Sequence, residues 1–346
     1  MTTLFLDAND AMASIYHAIR RPADGPVDLN RADHVDPSEL PAKLAGVTIV
    51  LNDHSFMPTA AMRQCPSVRH VIFLGTGARS YMDPEELAAL GITVHTIKGY
   101  GDTAVAEHAA ALLFAAARGL ALMDRSVRAG TWPRQEGMQL AGKTLGLIGY
   151  GGIGAELARI ATGIGMTVIA WNRTPREVPG VRFVPLQALL AESHAVSLHL
   201  LLTDETRGFL NADRIAAMRP GAILVNTARG AVIDTPAMVA ALRSGHLRHA
   251  ALDVFDHEPL PPGDVLTTLE NVTLSAHSGF CTPEASETLL RRALDIAATI
   301  ADKGGTSVTT GRKAGARPPG EMVDAADLKS EAERCAGSSP AAGIGG

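Results

Sequence analysis

The segment Lys143–Arg159 narrows the fold of this chain more than any other stretch. An apolar run, Thr144–Ile148, leads into Gly149, Gly151 and Gly154 at G-x-G-x-x-G spacing, and a helical pattern starts near Ile153. The glycines alone would say little, because the chain holds 34 of them in 346 residues. Framed by a strand and a helix, the spacing is specific. Gly149 permits a tight turn, Gly151 lets the backbone approach a pyrophosphate, and Gly154 lets the helix pack closely on the strand. Free N–H groups and the helix dipole at that N-terminus favour an anion. Gly149, Gly151, Gly152, Ile153 and Gly154 therefore form a candidate dinucleotide-binding turn.

The rest of the chain has a matching rhythm. Short β-branched runs alternate with helical segments, which predicts an α/β fold with parallel sheets. Strands are expected at Thr3–Leu6, Val47–Leu51, Val71–Leu74 and Ile92–His95, with helices at Pro58–Arg63 and Pro84–Leu90. Six more strands follow at Thr144–Ile148, Thr167–Trp171, Ala195–Leu200, Ala222–Asn226, His249–Val254 and Asn271–Leu274, enough for a complete doubly wound sheet. Between the two groups, Thr103–Arg118 is so apolar that it reads as a buried helix. From residue 304 the chain turns to Gly, Ser, Ala and Pro, a composition expected to be disordered.

Bulk properties exclude several classes of function. A 46% hydrophobic and 19% charged composition suits a soluble globular protein, and a net charge of −5 gives no footprint for nucleic acid or an anionic membrane. The N-terminus lacks a basic region followed by a long apolar one, so no signal peptide is expected. Cys65, Cys281 and Cys335 make neither a disulfide framework nor a metal site. The expected location is the cytoplasm.

Further chemistry gathers where strands end, because ligands of doubly wound sheets bind outside the carboxyl ends of the strands. An acid about 20 residues past the glycines would bind ribose hydroxyls. Here Asn172 and Arg173 stand there, and Asn172 is eighteen residues after Gly154. The missing acid and an arginine able to pair with a 2′-phosphate favour NADP over NAD. Three later segments place Arg229 (in Thr-Ala-Arg-Gly), Glu258 (before Pro259) and His277 (in Ser-Ala-His-Ser-Gly) on that same side.

From about residue 45 to 300 the chain resembles the D-isomer-specific 2-hydroxyacid dehydrogenase family. The resemblance rests on Gly75-Thr-Gly-Ala, Gly99-Tyr-Gly-Asp-Thr-Ala-Val-Ala-Glu-His, the glycine turn, His199-Leu-Leu-Leu-Thr-Asp-Glu-Thr-Arg-Gly and the three segments above. It implies a Rossmann domain, residues 100–289, inserted into a discontinuous flavodoxin-like substrate domain made of 1–99 plus a returning helix at 290–303. It also implies a homodimer and NAD(P)-dependent reduction of a small 2-oxo acid. On this reading His277 exchanges the proton, Glu258 orients its ring, and Arg229 anchors the substrate carboxylate with the backbone of Thr76 and Gly77. Thr203, Thr206, Thr227, Ala228, Asp253 and His277 correspond to positions that line the cofactor. No metal is implied, since the arginine and imidazolium manage the charge.

Some positions depart from the common pattern. Ala276 stands where many members have Pro, and Arg79-Ser80-Tyr81 replaces the usual continuation of the substrate loop, which leaves the particular acid open. Glu258 argues against a formate dehydrogenase, whose equivalent is Gln. A phosphite dehydrogenase-like enzyme and a dinucleotide-sensing binding protein remain alternatives. Trp132 and Arg134 are candidates for a cleft wall, and His108 for a packing contact within its helix.

Overall fold

The computed structural model describes residues 1–174 and 176–305. Five parallel strands, β1 (Thr3–Phe5), β2 (Val27–Leu29), β3 (Ile49–Asn52), β4 (His70–Phe73) and β5 (Thr93–Thr96), form one sheet in the order β2-β1-β3-β4-β5. Helices α1 (Asp10–Ile19), α2 (Leu40–Lys43), α3 (Thr59–Met62) and α4 (Pro84–Ala89) accompany it. The chain then runs through α5 (Asp102–Arg118) and α6 (Leu120–Arg128) into a second sheet.

That sheet contains β6 (Thr144–Ile148), β7 (Thr167–Trp171), β8 (Arg182–Phe183), β9 (Ala195–Leu198), β10 (Ala222–Asn226), β11 (Leu247–Leu252) and β12 (Val272–Leu274). Its order is β12-β11-β10-β9-β6-β7-β8, again all parallel. Helices α7 (Gly152–Gly163), α8 (Leu186–Glu192), α9 (Ala212–Ala216) and α10 (Thr235–Arg243) connect these strands, and α11 (Pro283–Gly305) ends the described chain.

Strands such as β3, β9 and β10 are buried along their whole length, which is why they read as unbroken apolar runs rather than alternating ones. Each sheet carries a core on both faces. Strand order reverses between β1 and β3 in the first sheet and between β6 and β9 in the second. Those are the switch points where such sheets bind ligands.

Several elements differ from the sequence-based expectation. Strand β2 was not expected: it is a three-residue edge strand that is nowhere fully buried, so it lacks an apolar signature. Strand β8 is two residues long and was missed for the same reason. Helix α1 was also missed, although Asn9 caps it by accepting the Met12 N–H at 3.0 Å and Met12, Ala13 and Tyr16 form its buried face. Helix α5 is not buried all round: Thr103, Glu107, Ala111, Phe114 and Arg118 form an exposed stripe.

The returning helix, α11, begins at Pro283 rather than near 290. Thr282 accepts the Ala285 N–H at 3.2 Å, and proline suits the first turn. Leu289, Leu290, Ala293, Leu294 and Ala297 of α11 pack with Phe5, Ile49, Leu51, Met12 and Tyr16 on one face of the first sheet. Nearly all of the expected disordered tail lies outside the described residues. Among the described residues no single helix is long and apolar enough to cross a membrane.

Candidate active site

The carboxyl ends of both sheets open on one cleft of about 360 Å³. A recess of about 460 Å³ beside the α5–α6 bend, against Arg248 and Glu270, contains none of the strand-end residues.

Arg229 follows β10, and a buried asparagine sets its backbone. Asn226 accepts the Ala228 N–H at 3.0 Å and donates to the Arg229 carbonyl at 2.9 Å. The Arg229 guanidinium donates to the Ala228 carbonyl at 2.7 Å, and Nη2 reaches across to the space that a Cβ on Gly77 would fill. Glycine at 77 is thus what admits the arginine to the Thr76–Gly77 backbone.

His277 lies between β12 and α11, with φ of 51°. Its Nδ1 is 2.6 Å from Glu258 Oε2, and Glu258 Oε1 accepts the Phe255 N–H at 2.8 Å. Burial pushes the Glu258 carboxyl up, but the His277 hydrogen bond, the Phe255 N–H and the His277 and Arg229 charges hold it below its ordinary value. A carboxylate so held keeps its charge and orients the imidazole through Nδ1. The cleft therefore contains an arginine for a carboxylate and a carboxylate-supported imidazole for a proton.

Features at β6–α7 and β9 fit a dinucleotide. Gly149 has φ of 93°, and a Cβ there would sit 2.6 Å from the His199 carbonyl. A Cβ on Gly154 would sit 2.8 Å from the Gly149 carbonyl, while Gly151 faces open space. Helix α7 starts without a side-chain cap, leaving its first N–H groups for an anion. Both ring nitrogens of His199 and the Thr227 hydroxyl are buried at the cleft without a partner among the described residues, and a ligand rich in hydroxyls and phosphates would satisfy them. Burial keeps His199 neutral, pushed down to about 4.

Of the residues singled out from sequence, Thr76, Gly77, Ile153, Thr227, Ala228, Arg229, Asp253 and His277 line the cleft, and Glu258 joins through His277. Others have local partners instead. The Asn172 carbonyl oxygen accepts the Tyr150 N–H at 2.6 Å, and its amide donates back to the Tyr150 carbonyl at 3.3 Å, so it braces the glycine turn. Arg173 pairs with Glu205 at 2.9 Å, both exposed. Thr206 accepts the Thr203 N–H at 2.7 Å and donates to the Leu201 carbonyl at 2.6 Å, closing a turn outside the cleft lining. At Gly152 it is the Asp102 carboxylate of α5 that leaves no room for a side chain. Trp132 is exposed and does not line the cleft.

The cleft also holds residues that sequence reasoning passed over: Asp53, His54, Tyr81, Lys98, Tyr100 and His199. Asp53 and His54 follow β3 as Arg229 follows β10, so the strand-end rule applied to the first sheet finds them. Asp7, at the end of β1, accepts the N–H groups of Asp53, His54 and Ser55 at 2.7–2.8 Å and fixes that loop. The Asp53 carboxylate, 2.8 Å from His54 Nδ1, raises the His54 pKa against the opposing effect of burial. Burial pushes the Tyr100 phenol up to about 12. Among the described residues no cluster of three or more His, Cys, Asp or Glu could hold a metal ion.

A dinucleotide fold joined to an arginine and an imidazole–carboxylate pair defines a class: oxidoreductases that use a nicotinamide cofactor. Comparison with known proteins resolves the class to a family. Residues 110–279 match the model of the D-isomer specific 2-hydroxyacid dehydrogenase NAD binding domain. The chain is 40% identical over 252 residues to a glyoxylate reductase of Aeropyrum pernix, covering 69% of this chain and 74% of that one. It is 32% identical to a glycerate dehydrogenase of Methylorubrum extorquens, covering 77% and 87% respectively. A solved glyoxylate reductase from Paecilomyes thermophila superposes with a TM-score of 0.74 at 27% identity, covering 88% of this chain and 96% of that one. The chain belongs to the D-isomer specific 2-hydroxyacid dehydrogenase family and is an NAD(P)-dependent enzyme of that kind.

Proposed function

We propose that the protein reduces glyoxylate or hydroxypyruvate with NADPH, using His277, Glu258 and Arg229. The observation that carries this reading is the His277–Glu258 pair sharing one cleft with an arginine laid against Gly77. Arg229, with the backbone of Thr76 and Gly77, binds the substrate carboxylate and turns the carbonyl oxygen towards His277. A reduced nicotinamide cofactor, its pyrophosphate held at the Gly149–Gly154 turn, would supply the hydride for the carbonyl carbon. His277 gives its proton to the carbonyl oxygen, a contribution of roughly 10²–10⁴-fold, and Glu258 stabilises the charged ring before transfer. The names of the relatives favour a two- or three-carbon acid.

Asn172 in place of an acid supports NADP, with Arg173 exchanging Glu205 for the 2′-phosphate. In the proposed division, residues 1–99 with 290–303 bind substrate and 100–289 bind cofactor. A homodimer fits the apolar surface of α5, α6 and the loop after them, where Phe114 is 41%, Leu120 50%, Val127 48% and Trp132 78% exposed. Cys65 and Cys281 are free thiols, a state that suits the cytoplasm.

The test is the loss of 340 nm absorbance with NADPH, and separately NADH, against glyoxylate, hydroxypyruvate, pyruvate and phenylpyruvate. Fastest turnover of the first two with NADPH is the expected result. Tight dinucleotide binding without turnover of any of them would overturn it in favour of a sensor.

A further inference from the structure

Helix α5 sends a titratable side chain to the back of the catalytic loop, and the chemistry above does not use it. His108 Nε2 lies 2.9 Å from Ser275 Oγ and 3.2 Å from Asp253 Oδ1. Ser275 has a single hydroxyl hydrogen, which goes to Asp253 Oδ1 at 2.5 Å, so its oxygen accepts from His108. That assigns the proton of His108 to Nε2. Asp253 also accepts the Ser278 N–H on Oδ1 at 2.9 Å and the Gly279 N–H on Oδ2 at 2.8 Å. Its main-chain carbonyl takes the His277 N–H at 2.7 Å.

Three of the five residues from Ser275 to Gly279 therefore hang on one buried carboxylate, and a fourth, His277, hangs on the main-chain carbonyl of the same residue. The residue between them that carries the chemistry, His277, is held at a left-handed φ of 51° that side chains avoid. Such a conformation persists only where its surroundings over-determine it. The His108 ring also packs against the loop backbone, since a Cβ on Gly279 would sit 3.5 Å from its Cδ2 and 3.0 Å from Asp253 Oδ2. The same helix begins in the cleft with Asp102 and Val105. One rigid element thus touches the cleft at its first turn and the catalytic loop one to two turns later.

We propose that His108 is a positioning residue for proton transfer: through Ser275 and Asp253 it locks the 275–279 loop so that His277 meets Glu258 and the substrate together. This rests on the reading of His277 as the proton donor. Loss of the clamp misplaces the imidazole without touching substrate or cofactor. It lowers kcat and leaves KM and dinucleotide affinity close to unchanged.

The test compares His108→Phe, which keeps the ring but loses the donor, with His108→Gln, whose amide nitrogen reaches the place of Nε2. Readouts are kcat and KM for glyoxylate, the NADPH Kd from fluorescence quenching, and the His277 Cε1–H NMR resonance, assigned by its loss in His277→Gln. His108→Phe should lower kcat by about 10–100-fold, with KM and Kd within about threefold, and should broaden or shift the resonance in the substrate-free protein. His108→Gln should restore most of both. Unchanged kcat and resonance in His108→Phe would overturn the proposal, as would equal impairment of the two variants or a parallel loss of NADPH binding. A wild-type protein that reduces no 2-oxo acid, yet whose resonance responds as expected, would support the clamp and overturn the reductase reading.

Discussion

At the scale of single residues, Gly77 and Arg229 occupy one space, so a methyl group at 77 must displace the guanidinium. Gly77→Ala should lower kcat/KM by about 10²-fold while NADPH still binds, which steady-state kinetics and fluorescence titration would check together. Asn172→Asp should move the NADPH/NADH preference towards NADH, and Glu205→Gln should move it the other way; cofactor Kd values would decide. Asp253 has a sign to its pH dependence. Burial pushes it up, but its hydrogen bonds win and place it at about 2, against roughly 3.9 in an unfolded chain. Its stabilising effect is therefore present above about pH 4 and lost as pH falls towards 2. Urea midpoints of Asp253→Asn should be lower than wild type at pH 7 and vary less through that window. Arg229, Glu258 and His277 could be singled out in the sequence because each follows a strand within a segment that resembles the family. The partner of Arg173 could not, since Glu205 lies 32 residues away, nor could that of His108, 167 residues away at Ser275. Only the packed sheet brings such pairs together.

At the scale of elements, the glycine turn is a close contact rather than a loose loop. Gly154→Ala places a methyl 2.8 Å from a backbone carbonyl, which cannot step aside as a side chain could. The substitution should cost about 1–3 kcal/mol of stability in denaturant melts and weaken dinucleotide binding at least about tenfold. Strands β6, β7 and β10 were readable to the residue because each is an apolar run closed by Gly, Asn or a charged segment. The edge strands were not, because an edge needs little apolar surface. Helix α5 read as uniformly buried since small alanines fill its sequence; its exposed stripe depends on what packs against each side.

At the scale of the molecule, both sheets and the cleft at their carboxyl ends follow from the order of strand-like and helix-like segments. The assembly does not, because an exposed apolar stripe does not name its own partner. Sedimentation velocity should give a dimer, and Leu120→Arg should shift it towards monomer with the cofactor still bound. The return of α11 to the first sheet has a consequence for synthesis. Phe5, Ile49 and Leu51 are made early, but the helix that covers them comes from residues 283–305. While the ribosome is still extending the chain, the second sheet has all its strands before the first has its lid. Until α11 emerges, the nascent first sheet keeps that apolar face open, and exposed apolar surface of this kind is where a partly made chain is prone to aggregate.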